Sequence, residues 1–256
     1  MTTISFINQK GGAGKTTTAL NVGAALTKKG YRVLLIDTDP QGNLTTGAGL
    51  APQEVEKMPT VYEVLKGDTD INDAVVTTGA GYDVLPTDIR QSGAEIELSA
   101  VTGREYILRE AITALTVPYD YVLIDCPPSL SIITIMALTA CNEVIIPIQA
   151  QYYAVQGTRQ LLNTFEVIKK RTNPRIKICG VVVTIYDARK LLDREILTNV
   201  RDAFGDKVFR TQIRNNVSLA EAPAFGNDIF TYKADSTGAA DYMALTDEII
   251  TRTKGE

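Results

Sequence analysis

Gln9-Lys10-Gly11-Gly12-Ala13-Gly14-Lys15-Thr16-Thr17 is the stretch on which the reading of this chain turns. It follows a short β-branched run at residues 4–8 and opens onto a helical pattern at 15–29. Strand, glycine loop and helix in that order let a loop turn its N–H groups inward around phosphate oxygens. Lys15 brings a mobile positive charge to the outer phosphates, and the Thr16 hydroxyl suits Mg2+. The pattern G-x-x-x-x-G-K-[ST] fails because Gln9 stands at its first glycine; K-G-G-x-G-K-T-T fits instead, with a further lysine, Lys10, at its head. The dinucleotide pattern G-x-G-x-x-G fails at Thr17. The expected triphosphate site is therefore Lys10, Gly11, Gly12, Ala13, Gly14, Lys15, Thr16 and Thr17.

Working outward, short apolar runs alternate with helical patterns almost from end to end, which predicts βαβ units. The expected strands are 4–8, 32–37, 82–86, 121–125, 143–148, 177–184 and 207–212, and the expected helices 15–29, 94–115, 132–140, 155–171, 191–204 and 239–253. The fold expected is α/β, a mostly parallel twisted sheet flanked by helices on both faces. The longest irregular-looking region, 41–73, is too short for a second domain, so 1–256 is expected to be one P-loop domain.

Two further acidic segments complete the site. Asp37-Thr-Asp39-Pro-Gln-Gly-Asn43 ends the second strand and Asp125-Cys-Pro-Pro the fourth. Ligands of open α/β sheets bind at the carboxyl ends of the strands, and carboxylates beside a phosphate cluster make sense with Mg2+ or an oriented water. Asp37, Asp39 and Asp125 are the candidate carboxylates for those two tasks, beside the Thr16 hydroxyl.

Composition narrows the chemistry. The chain has 256 residues, 45% of them hydrophobic, and no histidine, which excludes Ser-His-Asp and Cys-His machinery and imidazole metal sites. Cys126, Cys141 and Cys179 form no C-x-x-C pair and read as buried small apolar residues in a reducing compartment. No basic region precedes an apolar run at the N-terminus, and the longest apolar run is too short for a bilayer, so a cytoplasmic chain is expected. Residues 166–214 hold 12 Lys and Arg against 6 Asp and Glu, a local +6 in a chain of net −4. Such a segment is either a pair of solvated helices or a footprint for a polyanion.

Taken together, Lys10–Thr16, Asp37–Asn43, Asp125-Cys-Pro-Pro-Ser129, Ala137-Leu-Thr-Ala140, Tyr152-Tyr153, Ala220-Glu-Ala-Pro223 and Gly93-Ala-Glu-Ile-Glu-Leu98 resemble the ParA family of DNA-partition ATPases, especially its Soj type. The resemblance implies a slow ATPase switch using ATP and Mg2+. It implies that Lys10 reaches across a two-fold interface to the partner's nucleotide, closing an ATP-dependent homodimer. Lys15 and Thr16 would hold phosphates and metal, Asp39 the attacking water, and Asp37 and Asp125 the metal's water shell. The base would pack against Ile213-Arg214-Asn215-Asn216, with Arg214 and Asn216 as nucleotide-binding residues and Asn216 matching the family's adenine-contacting asparagine. The implied partners are non-specific double-stranded DNA and a ParB-like centromere-binding protein that stimulates hydrolysis, on the nucleoid and not on a membrane.

The chain departs from that pattern in places. Arg214 stands at a usual proline, Gln151 at a frequent glutamate, and Ser218 and Asp235-Ser-Thr-Gly238 at positions that are usually basic. Arg189 matches a DNA-contacting arginine, and Lys190, Arg194, Arg201 and Arg214 are candidates to complete the footprint. The alternatives are a MinD-like positioning switch on a membrane or protein partner, an iron–sulfur carrier, and a small-molecule kinase or ligase. The first conflicts with a net charge of −2 over residues 241–256, and the second lacks paired cysteines.

Overall fold

Val33-Leu-Leu-Ile-Asp37 shows how one short strand serves two cores. Side chains alternate across a sheet, so Val33 and Leu35 join one buried cluster while Leu34 and Ile36 join the other. Every residue of this strand is buried. The computed structural model describes residues 1–151 and 158–254. Its strands are β1 (Thr2–Phe6), β2 (Val33–Asp37), β3 (Val76–Thr77), β4 (Asp83–Leu85), β5 (Tyr121–Asp125), β6 (Glu143–Gln149) and β7 (Lys177–Thr184). They form one sheet in the order β3-β4-β2-β5-β1-β6-β7, parallel except where β3 runs against β4.

Helices Lys15–Lys28 and Thr237–Lys254 cover one face through Leu20, Val22, Tyr242, Leu245 and Ile249. Ile132–Ala140, Arg159–Arg171 and Leu191–Phe204 cover the other through Met136, Phe165 and Val200. The three cysteines are free and buried, and burial pushes the Cys141 and Cys179 thiols up to about 12. Among the described residues no helix is long and apolar enough to cross a membrane.

The α/β reading stands, with four local corrections. Residues 94–115 are not one helix: Gln91–Glu97 ends in a 3-10 turn, and Ile107–Thr113 begins only after Gly103, whose φ of 74° breaks the run. Ala94, Leu98, Leu108 and Ile112 nevertheless enter the same core, which is why their spacing reads as continuous. Residues 207–212 are not a strand. Phe209 N–H donates to Val181 O at 2.9 Å, yet the N–H groups of Arg210 and Thr211 turn away to the Glu248 carboxylate at 2.9 and 2.8 Å. Region 41–73 holds four short helices, Asn43–Gly47, Pro52–Val55, Val61–Lys66 and Ile71–Ala74. The two-residue β3 was not expected at all. Of the expected helix 155–171, residues 155–157 lie outside the described residues, as do Tyr152 and Tyr153.

Candidate active site

The glycine loop leaves β1 and is anchored on both sides. Asn8 Nδ2 donates to Pro147 O at 2.6 Å, and its Oδ1 accepts the Lys10 N–H at 3.0 Å. On the far side Thr184 Oγ1, at the end of β7, donates to Ala13 O at 2.9 Å. Gly12 and Gly14 have φ of 72° and 82°, a region that side chains disfavour. Gly14 caps helix Lys15–Lys28 without any side-chain hydrogen bond, and no acid sits in the first turn. The first N–H groups of this 14-residue helix therefore point at the loop with no capping side chain, beside the buried Lys15. Loop, helix end and lysine form a cradle for a polyanion.

The acids gather as expected. Asp37 and Asp125 are paired in register at the ends of β2 and β5, and both are fully buried. Asp37 accepts hydrogen bonds from Thr45 N at 2.9 Å, Thr45 Oγ1 at 2.8 Å and Asp39 N at 3.2 Å. Burial lifts its carboxyl to about 6, although the Thr45 bonds pull it down. Among the described residues Asp125 has no hydrogen-bond partner at either oxygen. Burial, and next the charge of Asp37, holds it well above the usual carboxylate range; Thr16 and Lys15 pull the other way without completing a hydrogen bond. A buried carboxylate with both oxygens orphaned, next to a polyanion cradle and the Thr16 hydroxyl, fits a hydrated divalent cation. Among the described residues no group of three or more Asp, Glu or Cys forms a protein-only cage, so phosphate and water would complete the shell. Asp39 lines the cleft; its Oδ1 accepts Gln41 N at 3.1 Å, and its Oδ2 makes no hydrogen bond among the described residues.

From the loop the cleft, about 710 Å3, runs past Thr184 and Ile185 to Ile213–Asn216, Leu219 and Pro223. Asn216 lines it, but its side chain is engaged: Oδ1 caps the next helix at Ser218 N, 2.9 Å, and Nδ2 donates to Thr237 Oγ1 at 2.7 Å. Arg214 also lines the cleft, where its Nε and Nη2 grip the Asp241 carboxylate at 2.9 and 2.6 Å. Arg214 thus sits with the cleft and not with the other DNA candidates.

Those candidates lie on and before helix Leu191–Phe204. Lys190, Arg194 and Arg201 are exposed and fall within an arc of roughly 40° at 100° per residue, forming one basic flank. Arg189, 91% exposed at its side chain, is bound to Asp187, whose carboxyl drops to about 2 through that hydrogen bond. Lys10 is exposed and its Nζ donates to Gln151 Oε1 of the same chain.

Sequence reasoning missed Asn8, Thr45 and Thr184, which carry no motif of their own, and Ile185. The last has φ of 55°, the one non-glycine in the left-handed region among the described residues. Such a backbone costs a β-branched residue roughly 1–2 kcal/mol, and no sequence signal marks it.

Residues 1–178 match the family model described as AAA domain. The chain is 47% identical to the sporulation initiation inhibitor protein Soj of Bacillus subtilis over 96% of this chain and 97% of that one. It is 45% identical to the chromosome partitioning protein ParA of Caulobacter vibrioides, over 98% and 94%. It also superposes on a crystal structure of cobyrinic acid a,c-diamide synthase from Mycobacterium smegmatis with bound ATP analog and magnesium. There the TM-score is 0.88 and the identity 37%, covering 100% of this chain and 97% of the other.

Proposed function

This chain belongs to the ParA/Soj family of partition ATPases, and from that premise we propose that it is an ATP-driven dimerisation switch that rides on non-specific DNA. The observation that carries the reading is the meeting of an uncapped helix end, the buried Lys15 and the orphaned Asp125 in one cleft.

The loop N–H groups and Lys15 bind the phosphates of ATP. Thr16, Asp125 and Asp37 hold Mg2+ and its water shell, which when bound neutralises charge on the β- and γ-phosphate oxygens. Asp39 accepts a proton-bearing water through Oδ2 and aims it, and with one carboxylate and no strong base nearby hydrolysis is slow. Lys10 is held by Gln151 within its own subunit and exchanges that amide for the partner's phosphates on dimerisation, acting as a cation in trans. Arg214 and the 213–216 backbone wall the base end. Lys190, Arg194 and Arg201, with Arg189 once Asp187 yields it, contact DNA phosphates. A ParB-like protein stimulates hydrolysis, and the dimer is released.

The test is sedimentation of Asp39→Ala protein with Mg-ATP, alone and with a random-sequence duplex, over a salt series. An ATP-dependent dimer that carries DNA down is expected. Four phosphate contacts per subunit give about eight per dimer and a log–log salt slope of about −7, which Arg194→Ala/Arg201→Ala lowers by about 3.6 in magnitude. Lys10→Ala should bind ATP and stay monomeric. A dimer indifferent to DNA would keep the switch and remove its cargo. ADP release that depends on a small amide-acceptor substrate and ignores DNA would replace the reading with a ligase.

A further inference from the structure

Ile185 stands in a backbone conformation that isoleucine disfavours, and the fold draws no evident return from it. It is 39% exposed and belongs to neither core cluster, so packing gives no reason for a left-handed β-branched residue. Glycine would adopt the same φ without strain, and asparagine with little. Strain that the core does not explain is a mark of function, provided the site itself supplies a use for the side chain.

The surroundings supply one. The preceding residue, Thr184, is tied by its hydroxyl to Ala13 of the glycine loop, and its methyl group lies 3.5 Å from where a Gly14 Cβ would be. The following residue, Tyr186, donates its N–H to Ile213 O at 3.0 Å and accepts from Asn215 N at 3.0 Å. Ile185 is thus fixed between the phosphate end of the cleft and the wall at 213–216, and lines the cleft at that point. Leu20, Leu219 and Pro223 add apolar lining elsewhere in the same cleft. An aromatic ring attached to a phosphate chain seated in the loop extends into the cleft between Ile185 and segment 213–216.

We propose that Ile185 is the base-binding platform of the cleft: its left-handed backbone lifts an aliphatic side chain against the plane of the purine, and the strain is held for affinity and not for folding. The proposal rests on the nucleotide reading of the cleft, and deepens it by giving the base a contact that the glycine loop cannot provide.

The test compares ATP with inorganic tripolyphosphate, both with Mg2+, by calorimetry on the full chain as wild type, Ile185→Gly, Ile185→Asn and Ile185→Leu. The glycine and asparagine variants are expected to weaken ATP about tenfold, leave tripolyphosphate within about twofold, and melt no lower than wild type. The leucine variant, apolar again, is expected to hold ATP within about threefold. ATP binding unchanged in the glycine and asparagine variants overturns the proposal, and so does an equal loss for both ligands, which would place the effect at the loop. Wild type that binds tripolyphosphate as tightly as ATP leaves the phosphate cradle standing and overturns the platform. Wild type that binds neither takes down the nucleotide reading as well.

Discussion

Asp37 and Asp125 are paired across neighbouring strand ends, with Lys15 lowering the pull of burial on Asp125, and both hold their protons more tightly than an ordinary carboxyl. For Asp37 the folded value is about 6 against an ordinary 3.8, so between those values the folded chain binds more proton than the unfolded one. The contribution of this group to stability is therefore present at low pH and falls as pH rises through about 6. Asp125 adds in the same direction. The loss from Asp37 is on the order of 2–3 kcal/mol, and Asp37→Asn, which keeps an acceptor for Thr45, should remove it. Urea midpoints measured without nucleotide between about pH 4 and pH 7 check this; parallel curves for the two proteins would refute the assignment. The acids were legible in the sequence because each closes a β-branched run, and a strand end is where a parallel sheet exposes its ligands. Their state was not legible. Nothing in Asp37-Thr-Asp says that Thr45 would satisfy one carboxylate and leave Asp125 bare, nor that Asn216 would be used as a helix cap.

Among elements, the last helix, Thr237–Lys254, does more than cover the sheet. Arg252 reaches from it to four backbone carbonyls, those of Cys179, Asp206, Lys207 and Val208, at 2.8 to 3.2 Å, and lies 4.2 Å above the Phe209 ring. Gly180 leaves room for this clamp, since a Cβ there would meet Phe209 at 2.5 Å and the guanidinium at 2.7 Å. Arg252→Ala is expected to lower stability by about 2–3 kcal/mol, and Arg252→Lys to recover less than half, because an ammonium lacks the planar fork. Denaturant unfolding at fixed pH measures both. The same helix explains the failed strand at 207–212, where Glu248 takes the N–H of Thr211, which would have continued the ladder from Phe209 to β7, together with that of Arg210. Elements whose boundaries depend on local pattern, such as β5, β7, Ile132–Ala140 and Leu191–Phe204, fall where the sequence puts them. Those decided by a side chain many residues away do not.

At the scale of the molecule, the cleft draws on the ends of β1, β2, β5 and β7 and on segment 213–224, so a ligand there is bound only by the assembled sheet. Mg-ATP at a hundredfold excess over its Kd should add about 2.7 kcal/mol and raise the melting temperature by roughly 5–10 °C. Lys15→Ala should melt near wild type without ligand and show none of that rise, as a differential scan would record. The strand order also sets a clock. β1 is the first strand synthesised, yet its neighbours are β5 and β6, the latter ending at Gln149. At about 5–20 residues per second the ribosome needs roughly 7–30 s after finishing β1 to deliver both. Through that interval the glycine loop hangs from an unpaired strand, and the nascent chain is expected to acquire its first ligand only when most of the polypeptide has emerged.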